Sequence, residues 1–320
     1  MSLTRLTQGP LTLGVELPLD NDWSPSGERA RRDDARPFGV PDMEAHAERI
    51  AQADRLGFRA AWLRDVPLYD PAFGDAGQVF ELFTYLGYLA RHTNHLLLGT
   101  AAAVLPLRQP WLVRKAAATV QALSGNRLLL GIASGDRPVE YPLFGEDFAQ
   151  RGAQFREAVE ILKGQTDAQL SSGQALLPHA PQPPLLAAGL AQQSPHWVGR
   201  EMDGWLAYPG TPQDHIKRAG LWRQVAGDKP YVSFIHLDLL ERPDAPTTRH
   251  RFGISAGREG LTRELEAMQA AGVNHIGLHF RRNQRPLDET LEEIGREVLP
   301  RFQGQAPAIA TRHEESVDVD

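Results

Sequence analysis

Two uninterrupted apolar runs joined by one amphipathic helix constrain the fold of this chain more than any other feature. The first run covers residues 96–105 and the second covers 128–132, and apolar residues recur at helical spacing over 111–123. A run without polar alternation is typical of a strand that is covered on both faces. Two such strands joined by a helix form a βαβ unit, so this part of the sheet is predicted to be parallel.

The same alternation of strand and helix extends over most of the 320 residues. Eight strands that alternate with eight helices predict an α/β TIM (β/α)8 barrel, with a doubly wound sheet as the alternative. The predicted strands cover 11–17, 59–63, 96–105, 128–132, 185–188, 205–208, 231–240 and 274–280. The predicted helices cover 42–56, 80–91, 111–123, 148–162, 195–201, 213–225, 257–271 and 287–302.

Three segments depart from this repeat. Residues 164–184 are polar and rich in Gln, Ser and Pro, which predicts an insertion outside the barrel. Residues 20–41 combine Pro, Gly and charge without an apolar period, which predicts a mobile lid that orders over the pocket when substrate binds. The barrel domain is predicted over residues 1–302, and the acidic residues 303–320 are predicted to form a disordered tail.

Composition excludes several classes of partner. The formal net charge is −6 and the pI is near 6.0, so no basic field is available to attract nucleic acid or an anionic membrane. The chain has no cysteine, which excludes disulfides and thiolate metal sites. No long apolar segment follows the N-terminus, so we expect a cytoplasmic protein without a membrane span.

In a barrel, the active site lies at the carboxyl ends of the strands. The residues predicted there include no metal cluster, because the eleven histidines lack H-x-H and H-E-x-x-H spacing. A P-loop and a G-x-G-x-x-G fingerprint are also absent from the sequence. A barrel mouth without strong chemistry of its own favours a bound organic cofactor over a hydrolase site. The candidates are Glu16, Arg64, Asp65, Ala101, Ala102, 134–136, 189–194, Tyr208, 236–238 and His279.

Three blocks of sequence resemble the luciferase-like flavin monooxygenases, a family that includes bacterial luciferase and its deazaflavin-dependent relatives. The blocks are LLLGTAAAVLPLRQP, LSGNRLLLGIASGDRPVEYPLFG and AAGLAQQSPHWVGREMDGW. The resemblance extends over about residues 11–302 and is most specific over 100–145. It implies a barrel oxidoreductase that uses a flavin or a deazaflavin.

The resemblance also implies residues that contact the cofactor ring. A cis peptide bond between Ala101 and Ala102 would lie beneath the ring, and Ser134 and Gly135 would lie beside the ring edge. The residues alone allow a simpler interpretation. Two alanines fit any buried strand, and a glycine after a strand fits any turn that needs a positive φ.

A phosphate site is implied in the same way. Arg151 would pair with the cofactor phosphate, and Gln192, Gln193 and Ser194 would form the loop that wraps it. Backbone N–H groups at a helix N-terminus suit an anion on physical grounds. The alternatives are a solvated helix arginine at 151 and an ordinary serine N-cap at 194.

One position departs from the family pattern. Bacterial luciferase has an acidic-His-His run at the end of the second strand, whereas this chain has Arg64, Asp65 and Val66. Light emission is therefore not implied. Asp65 remains a candidate catalytic base or ring contact, and the alternative is a salt bridge to Arg64 or Arg59.

The sequence therefore predicts an FMN-dependent monooxygenase that uses reduced flavin and O₂ on a small organic substrate. A separate NAD(P)H flavin reductase would supply the reduced flavin, and a homodimer is the expected assembly. The alternatives are a deazaflavin-dependent oxidoreductase that transfers hydride and a non-catalytic flavin-binding protein.

Overall fold

The structure is a computed structural model that describes residues 2–73 and 80–303. Its strands are β1 Thr12–Glu16, β2 Ala60–Leu63, β3 Leu97–Thr100, β4 Ala103–Val104, β5 Leu128–Ala133, β6 Leu185–Ala188, β7 Gly204–Leu206, β8 Tyr231–Leu239, β9 Thr248–His250, β10 Gly253–Ala256 and β11 His275–His279. Its helices are α1 Ser2–Leu6, α2 Pro25–Asp33, α3 His46–Leu56, α4 Leu82–His92, α5 Pro110–Ser124, α6 Arg151–Leu162, α7 Pro195–Glu201, α8 Pro212–Ala226, α9 Arg258–Ala270, α10 Leu287–Glu293 and α11 Leu299–Gln303. A π-helical turn, Ile294–Val298, joins α10 to α11.

Eight parallel strands close into a barrel, which confirms the predicted fold. The order around the barrel is β1, β2, β3, β5, β6, β7, β8 and β11, and β11 pairs with both β8 and β1. Closure leaves the eight strands without a free edge, and helices pack around the outside over a continuous apolar core. No helix in the described part of the chain combines the length and apolar character needed to cross a membrane.

Three details of the strands differ from the sequence prediction. The run 96–105 is two short strands, β3 and β4, because the backbone breaks pairing at Ala101 and Ala102. Strands β9 and β10 were not predicted. Strand β8 is nine residues long, so its second half extends past β11 and pairs with β10 instead.

The middle of the barrel is filled by two aromatic rings. Trp62 on β2 and Phe234 on β8 meet edge to face, with ring centroids 5.9 Å apart. Glycines on neighbouring strands make room for them, since a Cβ at Gly99 would lie 2.3 Å from the Trp62 ring and one at Gly277 would lie 2.5 Å from Phe234. The barrel is thus a packed core, and a ligand can enter only above this layer.

A series of buried hydrogen bonds lies below the aromatic layer. His275 Nε2 accepts a hydrogen bond from Trp62 Nε1 at 2.9 Å, so the imidazole proton is on Nδ1, which lies 2.7 Å from Thr12 Oγ1. Thr12 then donates to the Leu6 carbonyl of α1 at 2.5 Å. Burial lowers the pKa of His275 to about 3, which keeps the ring neutral. These hydrogen bonds close the bottom of the barrel.

The turn between α4 and β3 is held from two sides by buried charges. The Asp54 carboxylate accepts hydrogen bonds from the backbone N–H groups of residues 94–96. The Arg127 guanidinium donates five hydrogen bonds, which go to the carbonyls of Ala90, Thr93, Leu96 and Ser124 and to the Thr93 hydroxyl. We call Arg127 and the groups that accept its five hydrogen bonds the Arg127 clamp.

The predicted lid, residues 20–41, has more regular structure than its composition indicated. Ser24 accepts a hydrogen bond from the Gly27 N–H and begins helix α2. Arg281, which follows β11 and is fully buried, donates to Asp20 Oδ1 at 2.7 Å and lies 3.4 Å from Asp22 Oδ2. The segment is therefore anchored to the end of the last barrel strand.

The predicted insertion, residues 164–184, lies outside the barrel repeat against α5. Lys115 donates to the Leu177 carbonyl at 2.6 Å, and Gln121 donates to the Pro181 carbonyl at 3.1 Å. Gln303, the first residue of the predicted tail, ends α11 and accepts a hydrogen bond from the Leu13 N–H at 2.9 Å. Residues 304–320 lie outside the described residues.

Candidate functional site

A cavity of about 710 Å³ opens at the carboxyl ends of the barrel strands. Its wall is formed by the loops that follow different strands, as expected for a site in this fold. Most of the strand-end residues predicted from the sequence line it, while Ser194, Leu237, Asp238 and His279 do not. The predicted residues that line it are Glu16, Arg64, Asp65, Ala101, Ala102, Ser134, Gly135, Asp136, 189–193, Tyr208 and His236.

Ala101 and Ala102 form one wall of the cavity at the break between β3 and β4. The peptide bond between them is cis, which confirms the prediction for this bond. The Ala101 N–H donates to the Leu63 carbonyl at 2.6 Å, which ties the break to β2. With only methyl side chains at these positions, the backbone itself faces the cavity.

Ser134 and Gly135 follow β5 and turn the chain over the cavity. Gly135 has a φ of +79°, a conformation that favours glycine. The Tyr141 hydroxyl donates to the Ser134 carbonyl, which closes the loop on itself. Both residues line the cavity, and their contact with a cofactor remains a prediction.

Replacing Gly135 by Ala is expected to destabilise the protein by about 2–4 kcal/mol, since it adds overpacking to the cost of a positive φ. The new Cβ would lie 2.6 Å from the Tyr141 hydroxyl and 2.8 Å from Val104 Cγ1. Gly145 is the matched control, because its φ is +74° and a Cβ there meets nothing within 4 Å. Urea unfolding of both variants measures the difference, and equal losses would contradict the steric argument.

The loop after β6 forms the opposite wall. Ala191 and Gln192 both have positive φ values, and the Gln192 side chain is exposed. The buried Gln193 amide donates to the Gly152 carbonyl at 2.8 Å and accepts from Arg156 Nη2 at 2.8 Å. Gln193 therefore joins this loop to the first turns of α6.

Arg151 and Ser194 lie near this loop without lining the cavity. Ser194 is the N-cap of α7 and accepts a hydrogen bond from the Trp197 N–H at 3.2 Å, as in the simpler interpretation of this residue. The Arg151 guanidinium lies 3.8 Å from the Phe148 ring centroid and donates to the Phe148 carbonyl at 2.8 Å. Its Nε is buried and has no hydrogen-bond partner among the described residues.

Asp65 is part of an ion pair, but with a partner that was not predicted. Its carboxylate accepts from Arg108 at 2.7 and 2.9 Å and from the Val104 N–H at 2.9 Å. Arg64 instead donates to Glu16 at 2.7 Å. The expected pairing of Asp65 with Arg64 or Arg59 is therefore wrong. Three donors occupy the Asp65 oxygens, so this geometry favours a positioning role for the carboxylate over that of a base.

The layer above the aromatic rings is polar. Glu16 pairs in register with His279, and His279 pairs with His236, so the three side chains share one level of the barrel. The two imidazole rings stack with centroids 4.1 Å apart, and Trp23 of the segment 20–41 packs on both. Burial, followed by the charges of neighbouring groups, holds the pKa of His279 well below its usual range. His279 is therefore neutral.

Several residues of the cavity wall were not identified from the sequence, and three of them carry an aromatic ring or a charge. Phe234 lies mid-strand and gives no local signal, whereas Arg137 and Glu140 follow the Ser134–Asp136 turn directly. A charged pair within a few residues of a glycine turn is a signal that could have found them. Arg137 Nη1 lies 3.6 Å from Glu140 Oε1, and both side chains are buried.

The described residues contain no group of three or more His, Asp or Glu that could hold a metal ion. One hydrolase-like pattern does occur, since residues 253–257 read G-I-S-A-G. Its Ser255 lies within strand β10, paired between Thr248 and Asp238. In the described part of the chain no hydrogen bond joins Ser255 to a histidine, so the pattern does not form a nucleophile elbow.

The closed barrel and its cavity place the chain in the class of TIM-barrel proteins with a ligand site at the carboxyl ends of the strands. The chain belongs to the luciferase-like monooxygenase family, whose sequence model matches residues 21–226. Solved structures with a similar fold include both monooxygenases and F420-dependent enzymes.

Several curated proteins are similar in sequence. An uncharacterized protein of Mycobacterium tuberculosis, Rv0940c, is 32% identical over 168 residues, which cover 48% of this chain and 58% of that protein. A phthiodiolone/phenolphthiodiolone dimycocerosates ketoreductase of Mycobacterium sp. is 30% identical over 50% of this chain and 39% of its own length. An F420-dependent glucose-6-phosphate dehydrogenase of Amycolatopsis mediterranei is 27% identical over 40% of this chain and 38% of its own length. These matches span less than two thirds of each relative.

Two solved structures share the fold over most of the chain. EDTA monooxygenase (EmoA) from Chelativorans sp. BNC1 superimposes with a TM-score of 0.68 at 13% identity, covering 89% of this chain and 92% of that chain. An F420-dependent secondary alcohol dehydrogenase, solved with an F420-acetone adduct, superimposes with a TM-score of 0.66 at 16% identity. The match covers 89% of this chain and 97% of that chain. At these identities the likeness shows the fold alone.

Proposed function

We propose that the protein is an FMN-dependent monooxygenase that uses reduced flavin and O₂ to oxygenate a small organic substrate. The observation that carries this proposal is the cavity of about 710 Å³ above the packed barrel core. Pockets for cofactor-sized ligands measure roughly 300–1,000 Å³. A planar ring needs an unobstructed wall, and small residues supply it here: Ala101, Ala102, Ala133, Gly135, Ala188 and Gly189.

The residues near the loop after β6 also fit a phosphate. Arg151 has a buried Nε without a partner among the described residues, which leaves a donor of a permanently charged group unused. Its neighbour Gly152 contacts Gln192 and accepts from Gln193, so Arg151 lies on the turn of α6 that faces this loop. Arg151, Gln192 and Ser194 would therefore hold the phosphate, and the alanine wall would hold the ring.

A bound reduced flavin supplies the two electrons that reduce oxygen in such a reaction. The chain's own contribution is position and exclusion of water. Trp23 packs against His236 with ring centroids 6.1 Å apart, which places the segment 20–41 at one border of the cavity. Asp65, held by Arg108 and the Val104 N–H, fixes β4 beside the alanine wall.

A separate NAD(P)H flavin reductase would supply the reduced FMN. The absence of a G-x-G-x-x-G fingerprint from the sequence supports an external source. A homodimer remains the expected assembly, and sedimentation of the purified protein tests it.

A second candidate is hydride transfer with the deazaflavin F420. The observation in its favour is that two F420-dependent glucose-6-phosphate dehydrogenases, 27% and 31% identical, match this chain. Parallel titrations with FMN and F420 separate the two candidates. Tighter binding of FMN, with substrate-dependent O₂ uptake from reduced FMN, supports the monooxygenase, whereas binding of F420 alone overturns it.

Replacing Arg151 by Ala is expected to weaken FMN binding by roughly ten- to a hundredfold, because a charge-assisted hydrogen bond to phosphate is lost. Riboflavin has the same ring without phosphate, so its weaker binding should hardly change. Fluorescence titration of both ligands against both proteins gives a double-mutant cycle. Arg200, which is exposed on α7, supplies the control variant Arg200→Ala. Equal losses for FMN and riboflavin would assign Arg151 a structural role.

A further inference from the structure

Glu140 is a buried acid in the cavity wall to which the proposed function gives no role. It is 3% exposed and lines the cavity. It belongs to the loop that leaves β5 at Ser134, and this loop packs on Val104 of β4 through Gly135. Glu140 is therefore part of the wall next to the alanine positions, on the side where the ring edge would lie.

The Glu140 carboxyl forms an ion pair with Arg137, but one of its oxygens is left without a hydrogen bond. Oε1 is buried and has no hydrogen-bond partner among the described residues. The Arg137 guanidinium is 3.6 Å away, which is too long for a hydrogen bond. That guanidinium lies 4.0 Å from the Phe73 ring centroid and donates to the Leu68 carbonyl at 3.4 Å. Because burial still raises the pKa of Glu140, the charge of Arg137 compensates a buried carboxylate here only in part.

The groups around Glu140 act on its pKa in opposite directions, and the net effect is a raised pKa. Burial raises the pKa of Glu140 above its usual range, the positive charge of Arg137 lowers it, and the negative charges of Asp65 and Asp136 raise it further. A carboxyl group that keeps its proton has an O–H donor, whereas an ionised one only accepts. The protonated form also removes the cost of a buried charge that is only partly compensated.

We propose that the Glu140 carboxyl is a hydrogen-bond donor to the bound cofactor, placed in the cavity wall to meet an acceptor atom on the edge of the tricyclic ring. This inference rests on the proposed function in that it requires a flavin or deazaflavin in the cavity. Both rings carry carbonyl oxygens and ring nitrogens at their edges, so the donor suits either cofactor. It adds a ligand-binding residue that the sequence did not identify.

The test is the pH dependence of riboflavin binding, measured by fluorescence quenching between pH 5 and pH 8. Riboflavin is the probe because a phosphate monoester titrates near pH 6 and would mask the effect in FMN. The wild-type dissociation constant should rise about tenfold as pH increases through the raised pKa of Glu140, because the donor becomes a second acceptor.

Two variants and a control assign this slope to Glu140. Glu140→Gln keeps an N–H donor and should bind riboflavin with the low-pH affinity at every pH. Glu140→Ala should bind about tenfold more weakly than wild type at the acid end of the pH series and show no slope. Glu157 is exposed on α6, and Glu157→Gln should retain the full wild-type slope. A slope that persists in Glu140→Gln overturns the inference.

Stability of the ligand-free protein gives an independent measurement of the protonation state. Because the folded pKa is raised, the stability from Glu140 is complete below the unfolded pKa and falls as pH rises through the folded one. Glu140→Gln should remove that fall. A fall that is unchanged in the variant overturns the inference while leaving the proposed function intact. Failure of wild type to bind riboflavin, FMN and F420 at any pH overturns both.

Discussion

Replacing Arg127 by Met is expected to lower the free energy of unfolding by about 3–5 kcal/mol, among the largest effects that a single substitution produces. All five N–H groups of the buried guanidinium are used, and its acceptors are carbonyls and one hydroxyl in the turn before β3 and at the end of α5. Methionine fills similar volume but leaves those acceptors buried without donors. The shift of the urea midpoint at constant slope measures the loss.

Two further variants show whether the loss comes from the hydrogen bonds. Arg127→Lys keeps the positive charge with three donors in place of five, so about half of the loss is expected. Arg263, which is 65% exposed, supplies the control Arg263→Met, for which a change within about 0.5 kcal/mol is expected. A loss below about 1 kcal/mol for Arg127→Met would show that the Arg127 clamp is not a main support of the fold.

Stability should also respond to pH through Asp20. Burial raises the pKa of this carboxyl to about 6, against the attraction of Arg281. A folded pKa above the unfolded value of 3.8 means that the folded protein binds more protons between pH 4 and pH 6. The stability from Asp20 is therefore complete below pH 3.8 and is lost as pH rises through 6. The loss amounts to about 3 kcal/mol at 1.36 kcal/mol per pH unit.

The measurement compares wild type with Asp20→Asn at several pH values, so that other titrating groups cancel. The difference in unfolding free energy between the two proteins should shift by about 2–3 kcal/mol in favour of the variant between pH 4 and pH 7. Asp228 is exposed, and Asp228→Asn should track wild type throughout. A constant difference between wild type and Asp20→Asn would show that the Arg281 contact fully compensates the buried charge.

The barrel was predictable because its signal is repeated and local. Each strand of the repeat is an apolar run and each helix has its own period, so an error at one element did not change the fold. The hairpin of β9 and β10 escaped prediction because β8 continues past its barrel neighbour, and nothing within 231–240 marks where pairing changes partner. Helix α2 escaped because its side chains are mainly polar and charged.

The position of the candidate site was predictable from the sequence, whereas the ion pairs within it were not. Strand ends meet at one face of a barrel, so the residues after each strand converge whatever their identity. Ion pairs depend instead on which loops touch. Asp65 and Arg108 are separated by 43 residues and meet only because β4 follows the break at Ala101 and Ala102. Arg64 was a closer candidate in sequence but faces Glu16.

The ion pair between Asp20 and Arg281 determines when the segment 20–41 can take its place during synthesis of the chain. Asp20 and Arg281 are 261 residues apart in sequence. A growing chain makes its N-terminal strand early, yet the segment that borders the cavity lacks its contact with Arg281 until the last barrel strand has been synthesised. Contacts at such separation form late in folding. A ligand that binds in the cavity can therefore assist only the final steps of folding, after the first and last strands have met.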